Sequence, residues 1–201
     1  MAAVDDAVEA IRSGKAVILP TDTVYGLCAS PYREGPARRL YRLKERPESQ
    51  AMAILAADLE LLFDSVPELR GRTGVMCSAL LPGPYTLVLP NPGQRYHWLT
   101  GSRPDTIGVR VPEVDGEARS VLERVGVVAA TSANRHRGPD PRSLHDIPLE
   151  IRAGCDAVLD GGELPGTPST VLDLTGPEPR VVREGAVPAD EALDRVRAAF
   201  G

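Results

Sequence analysis

The hydrophobic pattern switches between a helical and an extended period along the chain. Val4, Val8 and Ile11 recur at helical spacing, and Gly14 stands where the stripe stops, so residues 4–13 read as an amphipathic helix. "KAVIL" (15–19) is a short apolar run closed by Pro20 and reads as a buried strand, with "YGLCA" (25–29) as a second. "EGPARRLYRLKER" (34–46) places Leu40, Tyr41 and Leu43 on a helix that Pro47 closes. "AMAILA" (51–56) is strand-like, and "DLELLFDSV" (58–66) and "PELRGRTGVMCSALL" (67–81) read as helices, the second with glycines inside it. After the turn signal "LPGP" come two strands, "YTLVLP" (85–90) and the alternating "TIGVRVP" (106–112). "DGEARSVLERV" (115–125) reads as a helix and "GVVAAT" (126–131) as a buried strand. Further on, 144–154 reads as a helix, then 156–160, 170–174 and 179–185 as strands, and 190–200 as a closing helix. Short connections between alternating strands and helices predict one α/β domain over residues 1–201. The sheet should be mixed, because "YTLVLP" and the closing pair of strands suit antiparallel neighbours.

Polar residues interrupt this pattern at strand ends. The stretches are "PTDT" (20–23), "KER" (44–46), "TSAN" (131–134) and "TPST" (167–170). Strand ends supply ligand contacts in α/β sheets. In extended backbone, i and i+2 share a side, so Thr21 with Thr23 and Ser132 with Asn134 can act as pairs. Lys44 and Arg46 diverge on a continuous helix and converge only if the helix unwinds before Pro47. Two converging cations call for an anion, whereas a solvated helix end would also explain them. Arg110 lies inside an apolar alternation and must face water or meet an anion; Arg183 poses the same question.

Composition narrows the classes. Aromatics make up only 4% of the 201 residues, so Val, Leu, Ile and Ala must fill the core. A net charge of −5 argues against a surface built throughout for nucleic acid. Of 23 basic residues only Lys15 and Lys44 are lysines, which singles out each of them. Cys28, Cys77 and Cys155 are dispersed, with no metal-ligand spacing to His97, His136 or His145, and read as reduced thiols of a cytoplasmic protein. The opening residues do not read as a signal peptide, and nothing approaches the roughly 20 apolar residues of a membrane span. P-loop, GxGxxG and GxSxG signatures are absent.

In order, "PTDTVYGL", "KER" before Pro47, "LPGPYTLVL", "IGVRVP", "SAN", "DGG" and "STV" resemble the YrdC-like family of threonylcarbamoyl-AMP synthases across residues 10–187. The resemblance implies a twisted mixed α/β sheet flanked by helices around a deep, positively lined cleft. It implies condensation of L-threonine, bicarbonate and ATP into threonylcarbamoyl-AMP with release of pyrophosphate. Mg2+ would accompany ATP, with no protein metal cluster. A separate threonylcarbamoyl transferase would pass the product to tRNA. Residue by residue, Thr21, Arg110, Ala130 and Ser169 would bind threonine. Lys44, Thr106, Ser132, Asn134, Asp140 and Arg183 would meet ATP, and Lys44 with Arg46 would face the phosphates in catalysis. The alternatives are a tRNA- or double-stranded-RNA-binding protein on the same fold and a paralogue acting on another carbamoylated substrate. Three stretches depart from the family pattern: "RHRG" (135–138) follows "SAN" in place of a small residue and Ser-Gly, Ala51-Met52 stands for Pro-Leu, and no His-Pro follows "RVP".

Overall fold

The computed structural model describes residues 2–198. Seven α-helices and nine strands alternate: α1 (Ala2–Arg12), β1 (Val17–Leu19), β2 (Gly26–Ala29), α2 (Glu34–Lys44), β3 (Ala53–Ala56), α3 (Leu59–Ser65), α4 (Arg72–Leu80), β4 (Tyr85–Pro90), β5 (Thr106–Arg110), α5 (Gly116–Val125), β6 (Val127–Ser132), α6 (Leu149–Ala153), β7 (Ala157–Val158), β8 (Thr170–Asp173), β9 (Arg180–Arg183) and α7 (Ala189–Ala198).

The strands form one sheet in the order β7-β1-β2-β6-β3-β5-β4-β8-β9. It is mixed, as expected: β1/β7, β3/β5 and β4/β8 are parallel and the other pairs antiparallel. Side chains alternate between its faces, and two cores result. Ile18, Leu27, Ile54, Leu87 and Val109 pack on one face, beneath residues of α2, α3, α4, α6 and α7. Val17, Leu19, Cys28, Leu55 and Val128 pack on the other, against Val8 and Ile11 of α1 and Val121 and Leu122 of α5. Both cores are mainly aliphatic, and the first also buries Tyr25, Tyr41, Phe63 and Tyr85.

The two faces are unequally covered. α1 and α5 pack over β7, β1, β6 and β3. Past them, alternate residues of β5, β4 and β8 on that face line a cavity instead. β9 closes the sheet as an edge strand, mostly exposed.

Two expected helices are broken. Residues 67–81 split into a 3-10 turn, Pro67–Leu69, and α4, because Gly71 takes φ +76°, which a right-handed helix does not admit. Residues 144–154 split into a 3-10 turn, Leu144–Asp146, and α6, because Pro148 has no N–H to carry a helix through. The strand expected over 156–160 shortens to β7, and residues 199–200 of the closing helix lie outside the described residues.

Candidate active site

The "PTDT" turn joins β1 to β2. The Thr21 hydroxyl donates to the Val24 carbonyl at 2.7 Å and accepts from the main-chain N–H groups of Thr23 and Val24 at 3.3 Å, so the turn closes on its own side chain. Thr21 and Thr23 do pair, with hydroxyls 3.1 Å apart, through this turn rather than through extended backbone. Asp22 forms an ion pair with Arg110 at the end of β5. The carboxylate also accepts the Glu113 N–H at 3.0 Å, and Arg110 donates to the Thr23 hydroxyl at 2.6 Å. Only 8% of the Arg110 side chain and 10% of the Asp22 side chain are exposed. Burial lowers the Arg110 pKa and the Asp22 charge opposes that shift. Asp22 thus cancels a buried charge and fixes the guanidinium, whose Nε is buried without a hydrogen-bond partner.

α2 stops at Lys44 because Glu45 turns left-handed (φ 52°, ψ 37°) and the Arg46 N–H folds back to the Tyr41 carbonyl at 2.9 Å. The helix therefore unwinds before Pro47, the condition under which Lys44 and Arg46 converge. The Lys44 ammonium is buried beneath the loop after β6. Its three N–H groups face four oxygens: the Ser132 carbonyl (2.7 Å), the Ser132 hydroxyl (3.3 Å), the Asn134 carbonyl (2.8 Å) and Asn134 Oδ1. Those oxygens favour the charged form, but burial and the neighbouring Arg46 prevail over them and over Asp140, holding the pKa down at about 7.

The remaining groups converge from other strands. Arg46 donates to the Ala51 carbonyl at 2.7 Å and its Nε is buried without a partner. Arg183 donates to the carbonyl and hydroxyl of Ser169 at 2.7 and 3.2 Å, and Ser169 hydrogen-bonds the Thr86 hydroxyl at 2.8 Å. Neither Arg46 nor Arg183 makes an ion pair with a carboxylate among the described residues, and burial lowers both pKa values. The Ser132 hydroxyl donates to Asn134 Oδ1 at 2.7 Å, and the Asn134 amide donates to the Gly138 carbonyl at 2.6 Å and to Asp140 at 3.4 Å.

These elements enclose a cavity of about 400 Å³, within the usual range for a small-molecule site. Thr21, Arg46, Thr106, Arg110, Ala130, Ser132, Ser169 and Arg183 line it. Lys44, Asn134 and Asp140 do not; they form the layer behind Ser132. In the sequence Met52 stands out only as a departure from the family pattern, and Thr86, Val88, Val171 and Val182 do not stand out; Met52 and the three valines give the cavity an apolar side. Alternation in "YTLVLP" puts Thr86 and Val88 on one face and was the available signal.

Tyr25 ties three walls together. Its main-chain N–H reaches Pro141, its carbonyl accepts from Ala133, and its hydroxyl, with one proton to donate, lies 2.7 Å from the Gly162 carbonyl and 3.1 Å from Asp160 Oδ1 while accepting the Gly161 N–H (2.9 Å). The segment after β7 is also held by the Gly166 N–H on the Thr23 carbonyl, at 2.8 Å. It leads into Pro168 and Ser169, which line the cavity. Among the described residues, no three His, Cys, Asp or Glu side chains gather as a metal site, and no helix is long and apolar enough to cross a membrane.

Residues 9–185 match the Sua5/YciO/YrdC family model, whose description is "Telomere recombination". The chain is 35% identical over 182 residues to a threonylcarbamoyl-AMP synthase of Pyrococcus abyssi, covering 90% of this chain and 53% of the relative, so it spans about half that protein's length. It is 30% identical over 174 residues to a threonylcarbamoyl-AMP synthase of Cellvibrio japonicus, covering 85% and 90% of the two chains. Among solved structures, P. abyssi Sua5 complexed with L-threonine superposes with a TM-score of 0.82 at 32% identity, over 98% of this chain and 57% of that one.

Proposed function

The chain belongs to the Sua5/YciO/YrdC family, and on that premise we propose that it is an L-threonylcarbamoyladenylate synthase, a nucleotidyltransferase. The observation that carries the proposal is a set of three guanidiniums on one cavity, of which Arg46 and Arg183 lack any described carboxylate partner. Arg46, half-buried and held only by a carbonyl, and Arg183, exposed on β9 and held only by Ser169, leave positive charge on the cavity that suits an anionic ligand.

In this reading Arg110, aimed by Asp22, grips the threonine carboxylate, with Thr21, Ala130 and Ser169 around the amino acid. The threonine amine takes up bicarbonate carbon with loss of water to give the N-carbamate. A carbamate oxygen attacks the α-phosphorus of ATP, forming threonylcarbamoyl-AMP and breaking the bond to pyrophosphate. Arg46 and Arg183, supported by Lys44 behind Ser132, hold the phosphates and the charge that builds on the leaving group. Thr106, Ser132, Asn134 and Asp140 position the nucleotide. ATP enters as its Mg2+ salt, the phosphates supplying the ion's main ligands. No side-chain nucleophile is required; orientation and charge do the chemical work. The product passes to a separate transferase acting on tRNA, in the cytoplasm, where Cys28, Cys77 and Cys155 stay reduced.

The test is pyrophosphate release with ATP, Mg2+, bicarbonate and threonine. Release that depends on threonine, and that falls at least a hundredfold in Arg110→Ala, is expected. ATP turnover indifferent to threonine would overturn the proposal.

A further inference from the structure

The loop that departs from the family pattern, "RHRG", is not spare surface. The His136 main-chain N–H donates to the Lys44 carbonyl at 3.0 Å, docking the loop onto the end of α2. The His136 Nε2 lies 3.3 Å from Gln50 Nε2, on the segment that carries Arg46 and Ala51 into the cavity. These two contacts bridge the loop after β6 to the 45–51 segment, beside the two cations expected to face phosphate. An amide NH2 can only donate, so in this contact Nε2 is the acceptor and the imidazole is neutral, with its proton on Nδ1.

The charged groups around the ring come from each neighbouring element. Desolvation lowers the His136 pKa first, and the charges of Arg137 next on the loop, Arg46 after α2 and Lys44 at the end of α2 lower it further. Arg135 is neutralised by Glu150, and Asp140 faces Asn134 and the charges of Lys44 and Arg183. Arg137 is exposed and has no ion-pair partner among the described residues. Positive charge is therefore in excess around His136, the group there whose ordinary titration lies nearest physiological pH.

We propose that His136 is a polyphosphate contact: neutral and tied to Gln50 before ATP binds, and protonated against the phosphates once it has. Arrival of the polyanion offsets the cations that keep the ring neutral. A protonated ring can no longer accept from the Gln50 amide, so the bridge exchanges for a charge-assisted contact to phosphate. The inference rests on the assignment of the cleft to ATP and adds the residue that couples proton uptake to phosphate binding.

Calorimetry with ATP and, separately, with inorganic tripolyphosphate tests it on the full chain, in buffers of different ionisation enthalpy, for wild type, His136→Asn and Gln50→Ala. Proton uptake at pH 7.5 should fall by about half a proton or more in His136→Asn, leaving the share taken by Lys44. The affinity difference from wild type should be about tenfold at pH 6.5 and shrink to less than about twofold at pH 8.5. Gln50→Ala frees the ring and should retain the uptake. Unchanged proton uptake in His136→Asn, or loss of it in Gln50→Ala alone, would overturn the inference while leaving the synthase assignment standing. Failure of wild type to bind either ligand would overturn both. Retained thermal stability of the exposed-loop variant excludes misfolding as the cause.

Discussion

Replacing Asp22 by Asn isolates what the buried carboxylate does. Asn keeps the shape and one acceptor oxygen, but Arg110, 7% exposed, is left charged without a counter-ion. Removing one partner of a buried ion pair costs about 3–5 kcal/mol. The Thr23 hydroxyl still accepts from Arg110, and a retained hydrogen bond is worth about 1 kcal/mol, which places the net loss at about 3 kcal/mol. In a chain of this length each kcal/mol moves Tm by about 2–4 °C, so the variant should melt about 6–12 °C below wild type. On the proposed assignment of Arg110, threonine supplies the missing carboxylate. Saturating threonine should therefore raise Tm more in Asp22→Asn than in wild type, although the mis-aimed guanidinium raises the threonine KM. Thermal melts with and without threonine, alongside urea titrations, provide the measurement. A variant within 0.5 °C of wild type, or one that gains less from threonine than wild type does, would refute both the charge-balance argument and the assignment of Arg110 to a carboxylate.

Lys44→Met should remove a pH dependence: with a folded pKa of about 7, the unfolded chain holds the extra proton up to its ordinary 10.5, so wild-type stability gains about 1 kcal/mol per unit from pH 7 to 9. Urea titrations at pH 7, 8 and 9 should show that slope only in wild type; above pH 9 the buried thiols of Cys28 and Cys77, pushed up to about 12, bend stability back down in both proteins. Tyr25→Phe should cost about 1–2 kcal/mol, because it strands the Gly161 N–H and the Gly162 carbonyl, and hydrogen exchange at 160–164 should accelerate; unchanged protection there would count against Tyr25 as the anchor. Gly185→Ala should destabilise by about 1–3 kcal/mol, since its Cβ would come within 2.2 Å of the Pro168 carbonyl and press on the cavity wall; the readouts are a urea midpoint and the KM for both substrates, and a silent substitution would contradict the packing.

The elements that could be read from the sequence are those whose causes are local. α1, α2 and α5 follow from apolar spacing and the residues that stop them, and the mixed sheet from short strands with short connections. The broken helices show where local pattern misleads, because Gly71 and Pro148 act through backbone geometry that spacing does not register. At the site, residue type at a strand end pointed to Ser132, and an arginine inside an apolar alternation pointed to Arg110 and Arg183. Their partners lay beyond reach. Asp22 meets Arg110 across 88 positions, Tyr25 meets Asp160 across 135, and His136 meets Gln50 across 86. Thr21 shows the converse, since much of its hydrogen bonding is spent within its own turn.

Arg183 sits on β9, the outermost and most exposed strand, paired to β8 across a bulge. Edge strands with few buried contacts fray at lower free energy than central ones. One wall of the cleft can thus come away while β6 and β3, deep in the sheet, stay paired. On the proposed function, a bulky adenylate should leave as this single strand peels, so its residence time should track the stability of the β8–β9 pair rather than that of the whole fold. Mutations that tighten this margin would hold the product longer and slow turnover without touching a reacting atom.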